Sequence, residues 1–443
     1  MSFPIETHTF PNGFRIVYQK SSNNIPVSHI YAFCDVGPVH EPDDLRGASH
    51  FIEHMCFKGT NKIPKVKKLF KHYDRIGAYF NAYTETRYTA YTLKCDDNYM
   101  ENSLRIMADM ILNSKFEEKE FRKEEMVVIE ENIQDSDNVV QRLNDEMNAI
   151  LYKGSSFELP IDHMDYHKTK YDYKKVLDFY HSFYQPARIV LSVISNIPFA
   201  SFRRFLNGTL FVKMPSKCGL LPAIQYHIDP QDGIEIRRIQ RKQTNTTHFF
   251  IGFRTQTQDK YILNTLKHIL SSTFNSRLYI LLREKEGLTY TSRAYVDYNE
   301  LYGGFYIYAE TDKTKIMRNG GKKGVLPIVL DMLCDLVRHG VTQEEVTMTK
   351  GYLHGSLNMA LANNERIVTH NGTRMLLHPD KTIVPFGKLY DICYKPVTKA
   401  DIDRVIRKYF VADGMFICIA GDDLPSEGTI QRLCRPLERR EQK

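Results

Sequence analysis

The sequence predicts an α+β protein of two tandem homologous domains, each a mainly antiparallel sheet with helices packed on one face. Three observations carry that expectation: one segment pattern occurs twice, paired strand-like runs open each half, and a connector containing Pro and Gly lies between. At 443 residues the chain is also too long for one ordinary hydrophobic core.

The repeated pattern is an amphipathic helix, an aromatic pair, a turn and a buried strand. In the first half it runs from Lys174-Lys175-Val176-Leu177-Asp178-Phe179-Tyr180 through Phe183-Tyr184 into Ile189-Val190-Leu191-Ser192-Val193-Ile194. In the second it runs from Ala400-Asp401-Ile402-Asp403-Arg404-Val405-Ile406 through Tyr409-Phe410 into Met415-Phe416-Ile417-Cys418-Ile419-Ala420. Phe14 to Tyr18 and Ser28 to Phe33 read as strands, as do Gly233 to Ile236 and Thr247 to Phe253. A helix follows in each half, then a strand pair, Tyr79 to Leu93 and Tyr290 to Tyr308. Helices between antiparallel pairs place them on one face of each sheet. The expected division is 1–214, a linker at 215–232 carrying Pro215, Gly219, Pro222 and Pro230, and 233–443.

Composition removes several function classes. The net charge of +7 comes from 60 basic and 53 acidic residues, mostly interleaved, which predicts a solvated mixed surface and no nucleic-acid partner. The densest basic stretch, Lys313 to Lys323, surrounds Asn319-Gly320-Gly321 and reads as a loop. The eight cysteines are scattered singly with no C-x-x-C pair, against a zinc ribbon and for reduced thiols. No leader-like start and no apolar run of about 18–20 residues is visible, so the expectation is a cytoplasmic protein without membrane insertion.

The chemistry concentrates at His50-Phe51-Ile52-Glu53-His54. Asp43 and Asp44 suit a helix N-terminus and Gly59 a helix stop. In such a helix His50 and His54 are one turn apart, with Glu53 about 60° to one side of His50 and His54 about 40° to the other. That sector suits two zinc ligands and a carboxylate beside an attacking water, in the inverted order of H-E-x-x-H. The second-half counterpart, Tyr261 to Ser272, offers only His268. A cysteine nucleophile, Cys56 with His54, fails because residues two apart on a helix diverge.

Two histidines leave zinc short of a protein ligand. In the helical stretch Phe121 to Gln134, Glu130 is flanked by Met126, Val127 and Ile133 and is expected to face inward, whereas Glu131 goes with Gln134 and Asp135. A buried carboxylate needs a partner, and the pattern alone leaves zinc or an arginine open.

Over nearly its whole length the chain resembles the M16 (pitrilysin-like) metallopeptidases, in particular the short subfamily containing mitochondrial processing peptidase. Gly47 to Thr60 is similar to the family's zinc-helix block, and Val127-Val128-Ile129-Glu130-Glu131 to its third-ligand block. The resemblance implies one zinc per chain held by His50, His54 and Glu130, with Glu53 as general base for a zinc-activated water. Asn81-Ala82-Tyr83-Thr84 resembles the edge strand on which an extended peptide pairs. Ser276 to Tyr290 resembles the block whose arginine and tyrosine meet the substrate, which assigns Arg283 and Tyr290 to peptide holding or oxyanion stabilisation. Asp401 to Asp422 resembles the family's C-terminal signature.

The implied activity is a metalloendopeptidase acting on peptides or unfolded segments. The half-clamshell length implies a homodimer or a heterodimer with a related subunit. The competing class is a catalytically silent scaffold, disfavoured because all four metal-site residues are present. The chain departs from the pattern at Gly154 to Pro160, where a Gly-containing loop is rewritten. It also departs at Lys123, where some members carry a further acid near the metal, and in lacking the glycine-rich loop of non-catalytic processing subunits.

Overall fold

The computed structural model describes residues 4–161, 170–217, 223–318 and 321–437. Gly219 and Pro222 of the expected linker, and Asn319-Gly320 of the basic loop, lie outside the described residues.

Two sheets account for the expected duplication. The first comprises β1 (Ile5–Thr9), β2 (Arg15–Lys20), β3 (Val27–Cys34), β4 (Tyr79–Thr84), β5 (Thr89–Asp96) and β6 (Ile189–Ser195), in the order β1-β2-β6-β3-β5-β4. The second comprises β7 (Glu235–Gln240), β8 (Thr246–Gln256), β9 (Thr289–Tyr298), β10 (Tyr302–Asp312) and β11 (Met415–Gly421), in the order β7-β11-β8-β10-β9. Apart from β1 the two orders are the same path traced twice. Even the single parallel pair recurs, β2 with β6 and β7 with β11. β6 and β11 are buried at every position, which is why each reads as a continuous apolar run rather than an alternation.

The compact units are not contiguous in sequence. One comprises 1–134, 159–225 and 357–389; the other comprises 135–158, 226–356 and 390–443. A linear division at 215–232 does not describe this exchange. Each sheet consequently carries a helix on its second face. In the first unit, helix Asn364–Leu377 packs on β3 and β6. Leu376 joins Val17, Phe33, Ala90 and Val190 in a small second core there. In the second unit, helix Val139–Leu151 lies on β8 and β11. Close approach explains Gly372: a Cβ there would stand 2.1 Å from Phe33 Cε2. The helices expected from the pattern pack on the main cores, one per sheet.

The β4–β5 hairpin matters most for the site. Its two-residue turn is closed by the Glu85 N–H donating to the Tyr88 carbonyl at 2.7 Å. The turn crosses Gly37, where a Cβ would lie 2.5 Å from the Glu85 carbonyl oxygen, so only glycine fits. Arg87, within the turn, pairs with Asp35 and donates to His40 Nε2 at 3.0 Å. Burial, reinforced by the Arg87 cation, pushes His40 down to about 3, so its imidazole is neutral.

Candidate metal centre

The helix Ala48–Cys56 is held by its apolar side. Phe51, Ile52 and Met55 are fully buried, each contributing about 1.5–3 kcal/mol relative to exposure. Its start differs from expectation: Asp43–Leu45 form a separate 3₁₀ turn, and Gly47 takes a left-handed conformation at φ 81°. Glu41 supplies the cap, accepting from the Gly47 N–H at 2.7 Å and the Ser49 N–H at 2.6 Å. Burial pushes the Glu41 carboxyl up, and these hydrogen bonds partly oppose the shift.

With that face fixed, His50 and His54 emerge together on the other. Their Nε2 atoms are 3.2 Å apart with the rings nearly perpendicular, at 85°. Helix Glu118–Asp137 brings Glu131 to them. Its Oε2 stands 3.4 Å from His54 Nε2 and 3.9 Å from His50 Nε2. Ligands at zinc–donor lengths of about 2.0–2.2 Å around a tetrahedral ion stand roughly 3.3–3.6 Å apart; the 3.2 and 3.4 Å separations match this and the 3.9 Å one is slightly wider, so a small shift of the Glu131 carboxylate fits the three atoms to the ion. Among the described residues this is the group arranged to hold a metal.

The carboxylate that the structure brings to the two histidines is Glu131, where the sequence led to the expectation of Glu130. Glu130 is exposed, and so are Met126 (54%) and Ile133 (43%), two of the residues taken to mark its inward face. The buried face is instead Phe121, Glu124, Glu125, Val128 and Asn132. Glu124, Val128 and Glu131 are spaced i, i+4, i+7 along one stripe, whereas Glu130 points about 100° away from Glu131. Apolar periodicity misleads here because the inward carboxylates are all satisfied. Glu125 accepts from the Tyr171 N–H at 2.7 Å, and Glu124 meets His54 and Lys58.

Glu124 was not singled out from the sequence, where Lys123 was taken for that place. Its Oε1 lies 2.9 Å from His54 Nδ1 and its Oε2 2.5 Å from Lys58 Nζ. Burial raises the Glu124 carboxyl, but the hydrogen bonds from His54 and Lys58 outweigh it and hold it below the ordinary range. An ionised acceptor at Nδ1 puts the ring proton there and turns the Nε2 lone pair toward the shared point. The i, i+4, i+7 stripe was the available signal.

Glu53 is buried, with 8% exposure, and its Oε2 accepts from Thr84 Oγ1 at 2.6 Å. Thr84 ends β4, which among the described residues pairs with β5 alone and so forms the sheet edge. Asn81 is exposed and Ala82 half-buried on that strand. Arg283 lies in the π-helical turn Tyr279–Glu284 and Tyr290 in β9, both in the second unit; the Tyr290 side chain lies outside the described residues. His268 carries no metal chemistry. It bonds Ser272 at 2.6 Å, and burial with Lys267 lowers it to about 3.

Repeated α+β units with a two-histidine, one-carboxylate centre on an H-x-x-E-H helix define a two-domain zinc-peptidase class. Two family models match the chain: insulinase (peptidase family M16) over residues 15–163, and peptidase M16 inactive domain over residues 170–353. The chain belongs to the M16 peptidase family, and zinc is that family's metal. It is 28% identical over 383 residues to the uncharacterized zinc protease YmxG of Bacillus subtilis, covering 86% of this chain and 90% of that protein. Over 153 residues it is 33% identical to the mitochondrial-processing peptidase subunit beta of Caenorhabditis elegans, about a third of each chain. A Helicobacter pylori protease structure shares the fold, with TM-score 0.85 at 19% identity over 95% of this chain and all of that one.

Proposed function

We propose that the chain is a zinc metalloendopeptidase that hydrolyses peptides or unfolded protein segments. One observation carries the reading: His50, His54 and Glu131 converge beside a buried Glu53 that is tied to a free sheet edge through Thr84.

In this reading His50, His54 and Glu131 hold one zinc ion, and Glu124 orients His54. Zinc supplies a Lewis acid and makes water acidic near neutral pH. Glu53 takes the proton of the attacking water and returns it to the leaving amine. The extended peptide adds to β4 along Asn81 and Ala82, whose backbone supplies strand hydrogen bonds. Arg283 and Tyr290 hold the peptide or the developing oxyanion. The enzyme works as a homodimer or beside a related subunit, as the word "subunit" in its nematode relative's name suggests. Free thiols at Cys34, Cys56, Cys95, Cys334, Cys393 and Cys418 fit a cytosol-like compartment, and no helix among the described residues is long and apolar enough to cross a membrane.

The test is metal analysis of the purified protein alongside a quenched-peptide assay of wild type and Glu53→Gln. About one zinc per chain is expected, with chelator-sensitive cleavage lost in the variant. Bound zinc without cleavage in wild type would favour the silent-scaffold reading, and undiminished cleavage by Glu53→Gln would overturn the mechanism.

A further inference from the structure

The helix that leads into the edge strand is charged in a way that its own stability does not explain. Helix Val66–Ile76 buries Leu69 and Tyr73, and the Tyr73 ring stacks on Phe80 of β4 with centroids 4.9 Å apart. Gly77 ends the helix in a left-handed conformation, and β4 begins two residues later. Phe57, just past the metal helix, lies 6.1 Å from Phe70 and 5.3 Å from Phe80 between ring centroids. Both helices therefore sit on the same face of β4.

From 62 to 75 the chain carries six basic residues, Lys62, Lys65, Lys67, Lys68, Lys71 and Arg75, against one acid, Asp74; all seven are exposed. On the helix, Lys67 and Lys71 stand nearly opposite the buried Leu69, with Lys68 and Arg75 beside them. Lys62 reaches Asp109 at 3.8 Å, but among the described residues no acid lies within 4.0 Å of the other five. The basic run from Lys313 to Lys323 differs, because Lys313 pairs with Asp422, Arg318 with Glu286 and Lys323 with Asp331. Like charges at i, i+3 and i, i+4 weaken a helix, and cations near its N-terminus oppose its dipole. The first turn holds no acid to offset them. A helix built for stability alone would have the reverse arrangement, so the unneutralised face calls for an anion from outside.

We propose that this face receives an acidic segment of the extended peptide that pairs with β4. Its placement rests on the peptidase reading: Thr84 meets Glu53, and Tyr79 lies at the other end of the strand, about 17 Å away at ~3.3 Å per residue. The favoured substrates thus carry acidic residues about five positions from the scissile bond. Strand pairing with β4 accepts any extended chain, and the lysines add selection by charge. A membrane surface fits less well, because Leu69 and Tyr73 turn into the core and leave no apolar wedge to enter it.

The test is fluorescence anisotropy on the full chain carrying Glu53→Gln, so that the probe is not consumed. Three labelled peptides differ only in a run that is glutamate, glutamine or lysine. The readout needs no turnover, so a silent scaffold that prefers the glutamate peptide would refute the peptidase reading and keep this one. The glutamate peptide is expected to bind at least tenfold tighter than the glutamine peptide, with the lysine peptide weakest. The difference shrinks as salt rises. Lys67→Gln/Lys71→Gln is expected to lose most of the preference, and Lys313→Gln/Lys323→Gln, an equal charge change elsewhere, to keep it. The proposal is overturned by absence of saturable binding, by equal affinity for the glutamate and lysine peptides, by undiminished preference in Lys67→Gln/Lys71→Gln, or by equal loss in both double variants. Phosphatidylserine vesicles that bind the parent chain but not Lys67→Gln/Lys71→Gln, while the peptides bind alike, would assign the face to a membrane instead.

Discussion

Thr84 Oγ1 donates to Glu53 Oε2 across 2.6 Å, joining the last residue of the edge strand to the buried carboxylate of the metal helix. Removing a hydrogen bond to a charged group costs about 1.5–3 kcal/mol. Thr84→Val is therefore expected to lower kcat/KM by roughly 10- to 100-fold at unchanged zinc content. Thr84→Ser, which keeps the hydroxyl, is expected to stay near wild type. Steady-state kinetics with metal analysis decides, and equal losses in both variants would point to a purely structural role.

Glu131 and Glu130 give opposite expectations for adjacent residues of one type. Glu131→Gln replaces a carboxylate oxygen of the proposed ligand set and is expected to lower zinc affinity at least 100-fold in competition with a chromophoric chelator. Glu130→Gln changes an exposed side chain and is expected to leave affinity alone.

In the proposed centre Glu124 would act on the metal through His54. Glu124→Gln removes the ionised acceptor from His54 Nδ1 and is expected to weaken zinc binding about 10- to 100-fold. The same competition assay reads it.

His40 predicts how stability responds to acid. Its folded value is about 3, and an unfolded histidine titrates near 6.5. Between those values the unfolded chain binds a proton that the folded chain refuses. Stability therefore falls as pH drops through that window, by up to about 1.4 kcal/mol per unit from this residue. Denaturant melts from pH 7 to 4 are expected to show a shallower slope for His40→Asn than for wild type.

Gly372 tests the exchanged helix. An added methyl would meet Phe33 at 2.1 Å and Ser192 Cβ at 2.9 Å, so Gly372→Ala is expected to destabilise by about 1–3 kcal/mol. Thermal unfolding checks it. An unchanged midpoint would mean that helix Asn364–Leu377 does not press on β3 and β6 as described.

By itself the sequence determined the elements whose signal is local. The i, i+4 spacing put His50 and His54 on one helical face, and the repeated helix–strand segment announced two equivalent sheets. β6 and β11 were legible as uninterrupted apolar runs because sheet centres bury both faces. The tertiary structure decided whatever depended on which side of a helix meets a neighbour. Glu131 rather than Glu130 joins the histidines because the inward stripe of its helix is made of partnered carboxylates, which a hydropathy pattern scores as surface. Thr84, Glu124 and Glu41 reach their partners only after the hairpin, two helices and a loop are packed together. The exchange of helices Val139–Leu151 and Asn364–Leu377 was equally hidden, since nothing local in a helix records which sheet it will cover.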